Sequence, residues 1–375
     1  MQLTLNNNVE KIKELCNGKY TPLVINKPNS KIYALGDIHG DYSVAISMLI
    51  LAEAISHKTP KYPLEPTATH CKCPKWEGGD SIIVQVGDQV DSCRYMENCN
   101  TLKSEFYIDR PYDILILNMF TELDEQAQKH GGRVISLLGN HELMNAQGIH
   151  KFVSKENFTY EQKIHRNDIM LPTTNPTMEH IGCSRVASVI VNDNLFVHAG
   201  IIDKIGDNLN LFSATPEKSR HNLENINQNI QLWLLGQIAL PKVNDIINPG
   251  TIDNKKTDSI FWTRILGTLP ANSSQKECMN HIGKVVKFLK IDNIIIGHTP
   301  QSFQFGLNSN NACASDNNEK SVNIWRIDNG SAQGFNIYDK IFIYKREKNK
   351  SRKPQVLEIK NGKFKVIIEK ETKHQ

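Results

Sequence analysis

The sequence predicts a layered α/β fold, and three observations support this class. Predicted strands alternate with helices over most of the chain and then give way mainly to strands. Several apolar strands end in short polar loops, where open α/β sheets bind ligands. The chain has 375 residues and is 39% hydrophobic, which is enough for a packed core in one large domain or two ordinary ones.

The first predicted elements surround an acidic loop. "KIYAL" is predicted as a strand, "GDIHGD" as a loop, and residues Tyr42 to Ile55 as an amphipathic helix with Asp41 as its N-cap. A Pro- and Gly-rich excursion over residues 57–79 precedes the next strand, "SIIVQV". Residues Tyr112 to His130 then favour a helix, which the following glycine pair ends.

The rest of the chain continues the alternation and finishes in strands. "RVISLL" is predicted as a strand before "GNHE", residues 150–182 as an insertion, and "VASVIV" and "LFVHAG" as a hairpin. A helix over Glu277 to Leu289 precedes "DNIIIGHTP", and the last predicted strands are "VNIWRI", "KIFIYK", "QVLEI" and "KFKVII". We expect an N-terminal extension over 1–30, one main domain over 31–346 and a C-terminal β extension over 347–375.

Composition excludes several classes of protein. Lys plus Arg is 44 and Asp plus Glu is 40, so the net charge of +4 does not indicate a nucleic-acid partner. The longest apolar run, "VAISMLILAEAI", is too short for a membrane span, and the N-terminus lacks the apolar core of a signal peptide. The expected location is therefore intracellular, in the cytoplasm. The eight cysteines are expected to be mostly reduced thiols or metal ligands rather than disulfides.

Five polar loops at predicted strand ends, "GDIHG", "GDQVD", "GNHE", "VHAG" and "GHTP", carry the candidate metal ligands. These are Asp37, His39, Asp88, Asn140, His198 and His298. Carboxylate, imidazole and amide oxygen without thiolate suit Mn, Fe or Zn rather than a structural zinc site. Asp37 and His39 lie two residues apart, so on an extended segment both side chains reach one metal. Taken singly, each of these residues is more often a turn residue, a helix cap or a semi-buried side chain. Here, however, six such residues occur together at the ends of predicted strands.

The five loops, in this order over residues 31 to 301, resemble the calcineurin-like metallophosphoesterases in their protein-phosphatase branch. The resemblance implies a four-layer α-β-β-α sandwich of two mixed sheets flanked by helices. It also implies two divalent metal ions, Mn or Fe/Zn. Asp37 and His39 would hold the first ion, Asp88 would bridge both, and the second would be held by Asn140, His198 and His298.

The same resemblance implies a mechanism. A hydroxide bridging the metals would attack phosphorus in line, His141 would protonate the leaving alkoxide, and Asp91 would hold His141 in its orientation. Asn140 and His141 are adjacent, so one is expected to ligate while the other faces substrate. Asn140 is counted among the phosphate-binding candidates as well as the metal ligands.

The residues expected to bind phosphate depart from the family pattern. That pattern continues "GDxxDRG", but here Ser92 occupies the arginine position and Arg94 follows two residues later. A guanidinium binds phosphate oxygens bidentately, so Arg94 is a candidate, with a solvent-facing role as the alternative. Arg264 in "FWTR" resembles an arginine motif of Shewanella-like phosphatases. "WRIDNGSAQGF" resembles their Asp-x-Gly-Met-Ser stretch, but imperfectly, because Ala332 stands in the Met position. The chain therefore resembles that group or its divergent relatives, including those of large DNA viruses.

The predicted function is metal-dependent hydrolysis of phosphomonoesters, with a phosphorylated protein (Ser/Thr or Tyr) or a small phosphoester as substrate. The alternatives are a dinucleoside-polyphosphate or nucleotide hydrolase and a non-catalytic metal-binding scaffold. No membrane or nucleic-acid partner is expected, and the oligomeric state stays open. A further zinc site made by Cys71, Cys73, Cys93 and Cys99 is weighed against free thiols, which the irregular spacing favours.

Overall fold

A computed structural model describes most of the chain. The described residues are 2–62, 73–94, 103–104, 107–158, 165–172, 176–248, 251–252, 255–256, 259–304, 306–313, 322–342 and 352–369. Within them, no helix is both long enough and apolar enough to span a bilayer.

The helices and strands follow the chain in alternation. The helices are α1 Gln2–Leu15, α2 Tyr42–Leu51, α3 Asp113–Gln128, α4 Asn140–Ala146, α5 Lys155–Phe158, α6 Arg166–Met170, α7 Pro176–Ser184, α8 Asp203–Asn208, α9 Pro216–Leu234, α10 Asn244–Ile247, α11 Ile265–Thr268, α12 Gln275–Leu289, α13 Gln301–Gln304 and α14 Asn336–Phe342. The strands are β1 Val24–Ile25, β2 Ile32–Leu35, β3 Ile82–Gln85, β4 Lys103–Ser104, β5 Tyr107–Ile108, β6 Arg133–Leu137, β7 Arg185–Val186, β8 Ser188–Val191, β9 Asn194–Val197, β10 Thr251–Ile252, β11 Lys255–Lys256, β12 Asn293–Ile296, β13 Asn310–Ala312, β14 Asn323–Arg326, β15 Gln355–Lys360 and β16 Lys363–Ile368.

Two six-stranded mixed sheets form the centre of the molecule. The first has the order β16-β15-β2-β3-β6-β7 and the second β1-β8-β9-β12-β14-β13. In the first sheet β2, β3, β6 and β7 are parallel, and β15 pairs antiparallel with β2. In the second, β9, β12 and β14 are parallel, while β8 pairs antiparallel with β9. The predicted pair of mixed sheets is confirmed.

The alternation of side chains along each strand builds the layers. In β2, Ala34 points into a cluster that contains residues of both sheets, among them Val84, Phe196 and Ile295. The neighbouring Tyr33 points the other way, into a cluster with α2 and α3. The outer face of the second sheet packs in the same manner on α9 and α12. The order of layers is therefore helices, sheet, sheet, helices, as expected.

Most predicted elements are present with small differences at their ends. Asp41 caps α2 by accepting hydrogen bonds from the Ser43 and Val44 N–H groups. This helix ends at Leu51 rather than Ile55, because Glu53 turns into the left-handed region with φ 56°. The hairpin of β8 and β9 turns at Asn192, which has φ 55°.

The prediction of a strand at "KIFIYK" is wrong at its start. Residues Asn336–Phe342 form helix α14, which follows a 3₁₀ turn at Gln333–Phe335. Phe335 and Tyr338, three residues apart, both pack against Phe303, with ring centroids 5.7 and 5.8 Å from its ring. A short apolar run does not distinguish a strand from a buried helix, and here tertiary packing decides. The rest of the run lies outside the described residues.

The expectation of reduced cysteines is wrong for the pairs that the fold brings together. Cys16, directly after α1, is bonded to Cys183 on α7, and Cys278 on α12 to Cys313. Cys93 is also disulfide-bonded, so it is neither the favoured free thiol nor available to the alternative zinc site. Cys73 keeps a thiol, while Cys71 and Cys99 lie outside the described residues. Partners separated by 167 and 35 residues cannot be paired from spacing alone. Disulfides are typical of oxidising compartments, so the intracellular location stays a prediction.

Replacing both Cys16 and Cys183 with Ala is expected to lower the free energy of unfolding by about 2–4 kcal/mol, because the unfolded chain loses a long-range cross-link. Guanidinium unfolding followed by circular dichroism measures this change. Cys73→Ser serves as the control and should leave the unfolding midpoint close to that of the wild type. Equal stability of the double variant and the oxidised wild type would contradict a native Cys16–Cys183 bond.

Candidate active site

The predicted ligands meet at one edge of the two sheets. They follow β2, β3, β6, β9 and β12 directly, where the carboxyl ends of these strands lie together. All six are buried, with exposed fractions of 5% or less. They are Asp37, His39, Asp88, Asn140, His198 and His298. The sheet topology therefore gathers side chains that are up to 261 residues apart, as for Asp37 and His298.

Sharp turns in the loops aim these side chains. His39, Asp88 and His298 adopt left-handed backbone conformations with φ 49°, 53° and 64°. Such conformations are unfavourable for residues other than glycine and are concentrated at functional sites. Asp37 and His39 do lie close, with the Asp37 Oδ2 to His39 Nε2 distance 3.7 Å. However, the segment turns at His39, so the expectation that both side chains share a direction on an extended segment is wrong.

Glu142 ties the second and third loops together, and it was not among the predicted site residues. Its carboxylate accepts hydrogen bonds from the N–H groups of Gly139 (2.7 Å), Asp88 (3.0 Å), Gln89 (2.7 Å) and Val90 (3.3 Å). It is 2% exposed. A signal for it is present in the "GNHE" block, where a glutamate three residues after Gly139 is typical of a helix N-terminus. Its long-range bonds were not predictable.

Asp88 is shared by two groups of possible metal ligands. His39, Asp88 and His141 form one group and Asp88, His198 and His298 the other, and the ligand atoms within each group all lie within 4.8 Å of one another. Asp88 Oδ2 is 3.8 Å from His39 Nε2 and 3.4 Å from His198 Nε2. The position of Asp88 between the two groups is the one that a bridging ligand requires.

A backbone carbonyl orients the candidate ligand His198, and Asn140 lies at its other ring nitrogen. The His198 ring contacts Asn140 Oδ1 through Nε2 at 3.0 Å and the Val86 carbonyl oxygen through Nδ1 at 2.8 Å. A ligand imidazole is commonly fixed in this way by the partner of its other nitrogen. Asn140 Oδ1 therefore lies at the edge of the second ligand group, as a candidate ligand should.

The electrostatics of the site fit divalent cations. Burial, and then the charges of Asp328 and Asp88, raise the pKa of Asp37 well above its ordinary value. Burial also opposes ionisation of Asp88, but the imidazoles of His198 and His141 hold its pKa below the ordinary value. Burial, followed by the charges of His198 and Arg264, lowers the pKa of His298 and keeps its ring neutral for ligation. Crowded buried carboxylates together with imidazoles form a donor set that cations stabilise.

Asp328 adds a carboxylate that was not predicted as a site residue. It is 1% exposed and lies beside Asp37, and its Oδ1 accepts from the Gly330 N–H at 2.8 Å. Burial raises its pKa to about 6. The residue lies within the imperfect motif "WRIDNGS", so its type is visible in the sequence, whereas its contribution to the charge of the site is not.

His141 and Asp91 form the predicted pair beside the ligands. Asp91 Oδ2 lies 2.8 Å from His141 Nδ1, and His141 Nε2 lies 3.8 Å from Asp88 Oδ2. Asn145 donates to both oxygens of Asp91, at 2.9 and 3.0 Å. The pair is 7% and 0% exposed. With Nδ1 engaged by Asp91, the other nitrogen of the ring faces the candidate metal site.

Arg94 is not the solvent-facing residue of the alternative prediction. It is 9% exposed, and its guanidinium lies 4.9 Å from the ring centroid of Phe335 and 5.9 Å from that of Phe152. Phe335 contacts the His39 ring and Phe152 the His141 ring, with centroids 5.4 and 5.0 Å apart. Arg94 is therefore held next to the ligand groups.

Arg264 lies at an exposed position beside His298. It donates from Nη1 to the His298 carbonyl oxygen at 3.0 Å. Trp262 is half-buried, donates from its indole N–H to the Ile247 carbonyl oxygen, and its own carbonyl oxygen is 3.2 Å from His298 Nε2. This tryptophan therefore packs and also helps to place His298.

Comparison with known proteins identifies the family. A family model described as calcineurin-like phosphoesterase matches residues 30–302. The chain belongs to the calcineurin-like phosphoesterases. Its sequence is 32% identical over 262 residues to an uncharacterized protein of Acanthamoeba polyphaga mimivirus, an alignment that covers 66% of this chain and 97% of the relative. It is 21% identical over 346 residues to Shewanella-like protein phosphatase 2 of Arabidopsis thaliana, covering 81% and 72% of the two chains.

The fold agrees with that of a solved phosphatase. The crystal structure of the cold-active protein-tyrosine phosphatase of a psychrophilic Shewanella species matches with a TM-score of 0.60 and 18% identity, covering 96% of this chain and 82% of that one. The predicted fold, the predicted metallophosphoesterase family, its relation to Shewanella-like phosphatases and the expected viral relative are confirmed. The chain is accordingly a phosphatase-family enzyme with a candidate metal site.

Asp88→Asn should abolish the binding of two metal ions per chain, because the two ligand groups share this carboxylate. Metal content after gel filtration, and the increase in melting temperature that Mn²⁺ produces, measure the loss. Asp80→Asn is the matched control, since this exposed aspartate precedes the opposite end of β3. Wild-type metal content in Asp88→Asn would contradict a shared ligand.

Proposed function

We propose that this protein is a metal-dependent phosphomonoester hydrolase that acts on phosphorylated proteins. One observation carries the proposal: Asp88 belongs to two groups of possible ligands, and His141, which lies within the first group, is paired through Nδ1 with Asp91. Metal ligation and a proton donor are thus available at one buried edge of the sheets.

We infer that Asp37, His39 and Asp88 hold one divalent ion and that Asp88, Asn140, His198 and His298 hold the other, with Mn or Fe/Zn as the ions. When bound, such a pair lowers the pKa of a water molecule and neutralises the oxygens of the phosphoryl group. The protein's own part is to fix the ligands: the Val86 carbonyl oxygen accepts from His198 Nδ1 at 2.8 Å, so that Nε2 faces the site beside Asn140 Oδ1.

His141 is the candidate general acid. Asp91 accepts the Nδ1 proton, so the proton delivered to the leaving oxygen is the one on Nε2, which faces the ligand groups. Asp91 also stabilises the protonated imidazole by its charge. Asn145 holds the aspartate through both oxygens and keeps this geometry during turnover.

Arg94 and Arg264 are the candidate phosphate-binding residues, with Asn140 as a further polar group at the edge. The two phenylalanine rings that flank the Arg94 guanidinium restrict its movement, so fewer conformations are lost when it binds phosphate. Among the described residues, Arg264 donates to the His298 carbonyl oxygen and to Thr299, and its exposed position suits contact with a substrate that enters from solvent.

A protein substrate is supported by the relatives that are described as protein phosphatases. The chemistry of the site itself is common to phosphoserine, phosphothreonine and phosphotyrosine. A non-catalytic scaffold is less well supported, because His141 and Asp91 are both in place for proton transfer. No contact in the described residues favours a dinucleoside polyphosphate.

His141→Asn is expected to lower kcat by about 10²–10⁴-fold while metal content is retained, since only the proton donor is lost. The assay compares p-nitrophenyl phosphate, phosphotyrosine and phosphothreonine peptides and diadenosine tetraphosphate with Mn²⁺ or Fe/Zn. The exposed His57 provides the control, His57→Asn, with wild-type kcat. Absence of metal-dependent turnover by the wild type on every substrate would favour the scaffold and defeat the proposal.

Arg94→Ala is expected to raise KM for phosphoesters by about tenfold or more, because a charge-assisted bond to phosphate is worth roughly 1.5–3 kcal/mol. Steady-state kinetics on p-nitrophenyl phosphate measure it, with Arg264→Ala tested in parallel. Arg220→Ala is the control, since this side chain binds the end of α12 on the outer helical layer. An unchanged KM in Arg94→Ala would remove Arg94 from phosphate binding.

A further inference from the structure

Arg166 is a buried charged residue that the mechanism above does not use. It begins α6, within the insertion over 150–182, and is 0% exposed. Its Nη2 atom lies 3.2 Å from Asp91 Oδ1 and 2.9 Å from Asp113 Oδ2. Its Nε donates to Asn145 Oδ1 at 2.8 Å. The insertion thus places a guanidinium directly behind the His141–Asp91 pair.

The two oxygens of Asp91 have three partners: Arg166, Asn145 and His141. Oδ1 accepts from Arg166 and Asn145, whereas Oδ2 accepts from Asn145 and lies 2.8 Å from His141 Nδ1. With Oδ1 held, the carboxylate cannot rotate about its axis without losing a charged bond. The oxygen that faces His141 is therefore fixed.

Arg166 also determines how Asn145 is oriented. The amide oxygen of Asn145 accepts from Arg166 Nε, so its amide nitrogen must point the opposite way, toward Asp91 and the His141 carbonyl oxygen. A neutral side chain at position 166 would leave the amide free to flip. Arg166 thus acts on Asp91 twice, once directly and once through Asn145.

An arginine with a purely structural role is expected to have different hydrogen-bond partners. The fully buried Arg326 donates to neutral oxygens, those of Asn310, Asn311, Leu266 and Leu269. Arg166 instead lies between two buried carboxylates, and burial raises the pKa of the second of them, Asp113, to about 6 although Arg166 lowers it. A buried arginine that supports only packing does not need a contact to the partner of the general acid.

We propose that Arg166 is a positioning residue for the general acid: it fixes Asp91 and Asn145 so that His141 Nε2 delivers its proton to the leaving group. This inference rests on the proposed function. A defect in proton delivery slows the release of poor leaving groups much more than that of good ones, because a stable leaving anion needs little protonation. Loss of packing slows both alike.

The test compares kcat of the metal-loaded protein on phenyl phosphate, a poor leaving group, and on p-nitrophenyl phosphate, a good one. In Arg166→Met, the ratio of kcat on p-nitrophenyl phosphate to kcat on phenyl phosphate should rise by about tenfold or more, with KM little changed. Arg166→Lys keeps the charge and should restore part of the ratio. Combining Arg166→Met with His141→Asn should add little to the loss on phenyl phosphate, since both act on one step.

Two further variants guard against misfolding. Removing Arg166 leaves two buried carboxylates without their cation, so Arg166→Met is also made together with Asp113→Asn to reduce that penalty. Arg326→Met is the matched control, which removes an equally buried arginine and should lower kcat on both substrates by the same factor, if at all. Circular dichroism and metal content establish that each variant is folded.

The outcomes separate the two proposals. If the wild type and His141→Asn differ as expected but the ratio is unchanged in both Arg166→Met and the double variant with Asp113→Asn, the positioning role is overturned while the proposed function stands. Equal losses on the two substrates also overturn it. If the wild type hydrolyses neither substrate with any metal, the proposed function fails and this inference fails with it.

Discussion

The buried carboxylate of Asp88 is the constraint on which the rest of the site depends. It is 2% exposed, and although burial opposes its charge, the imidazoles of His198 and His141 hold its pKa below the ordinary value. Its Oδ1 accepts the His141 N–H at 3.0 Å, so the same residue also fixes the first turn of α4. A Cβ atom at Gly139 would collide with this carboxylate, which explains the glycine at the end of the third strand of the parallel set. One charge therefore orders two loops.

The backbone conformations that form this site are unfavourable in free energy when taken alone. His39, Asp88, Asp91 and His298 all have positive φ angles, and each costs of order 1–3 kcal/mol unless its surroundings fix it. Glu142 provides part of the compensation through its four bonds to backbone N–H groups. These bonds lie wholly within the protein, away from solvent, where hydrogen bonds to a charged group are strongest. The backbone strain at Asp88 and the hydrogen bonds to Glu142 that offset it therefore occur in the same loop.

The sequence was enough to predict the site residues that directly follow a strand. Parallel strands bring their carboxyl ends to one edge, so the order of strands and polar loops along the chain predicts that Asp37, Asp88 and His298 meet. Contacts that depend on how an insertion packs back on the domain could not be predicted. Arg166 lies in such an insertion, and nothing in "IHRND" distinguishes it from a surface arginine. The Cys16–Cys183 pair is hidden for the same reason, because only the packing of α1 near α7 brings the thiols together.

The displaced arginine follows a serine that is tightly packed in its loop. This residue is 4% exposed, and a Cβ added at Gly40 would lie 3.1 Å from its Cβ atom. A Cβ at Gly334 would collide with the Ser92 carbonyl oxygen. The loop at Ser92 therefore packs directly against two glycine backbones. Two residues further on, the chain reaches the space between Phe152 and Phe335, whose faces accommodate a guanidinium. The departure from the pattern thus moves the positive charge along the loop and keeps it beside the ligands.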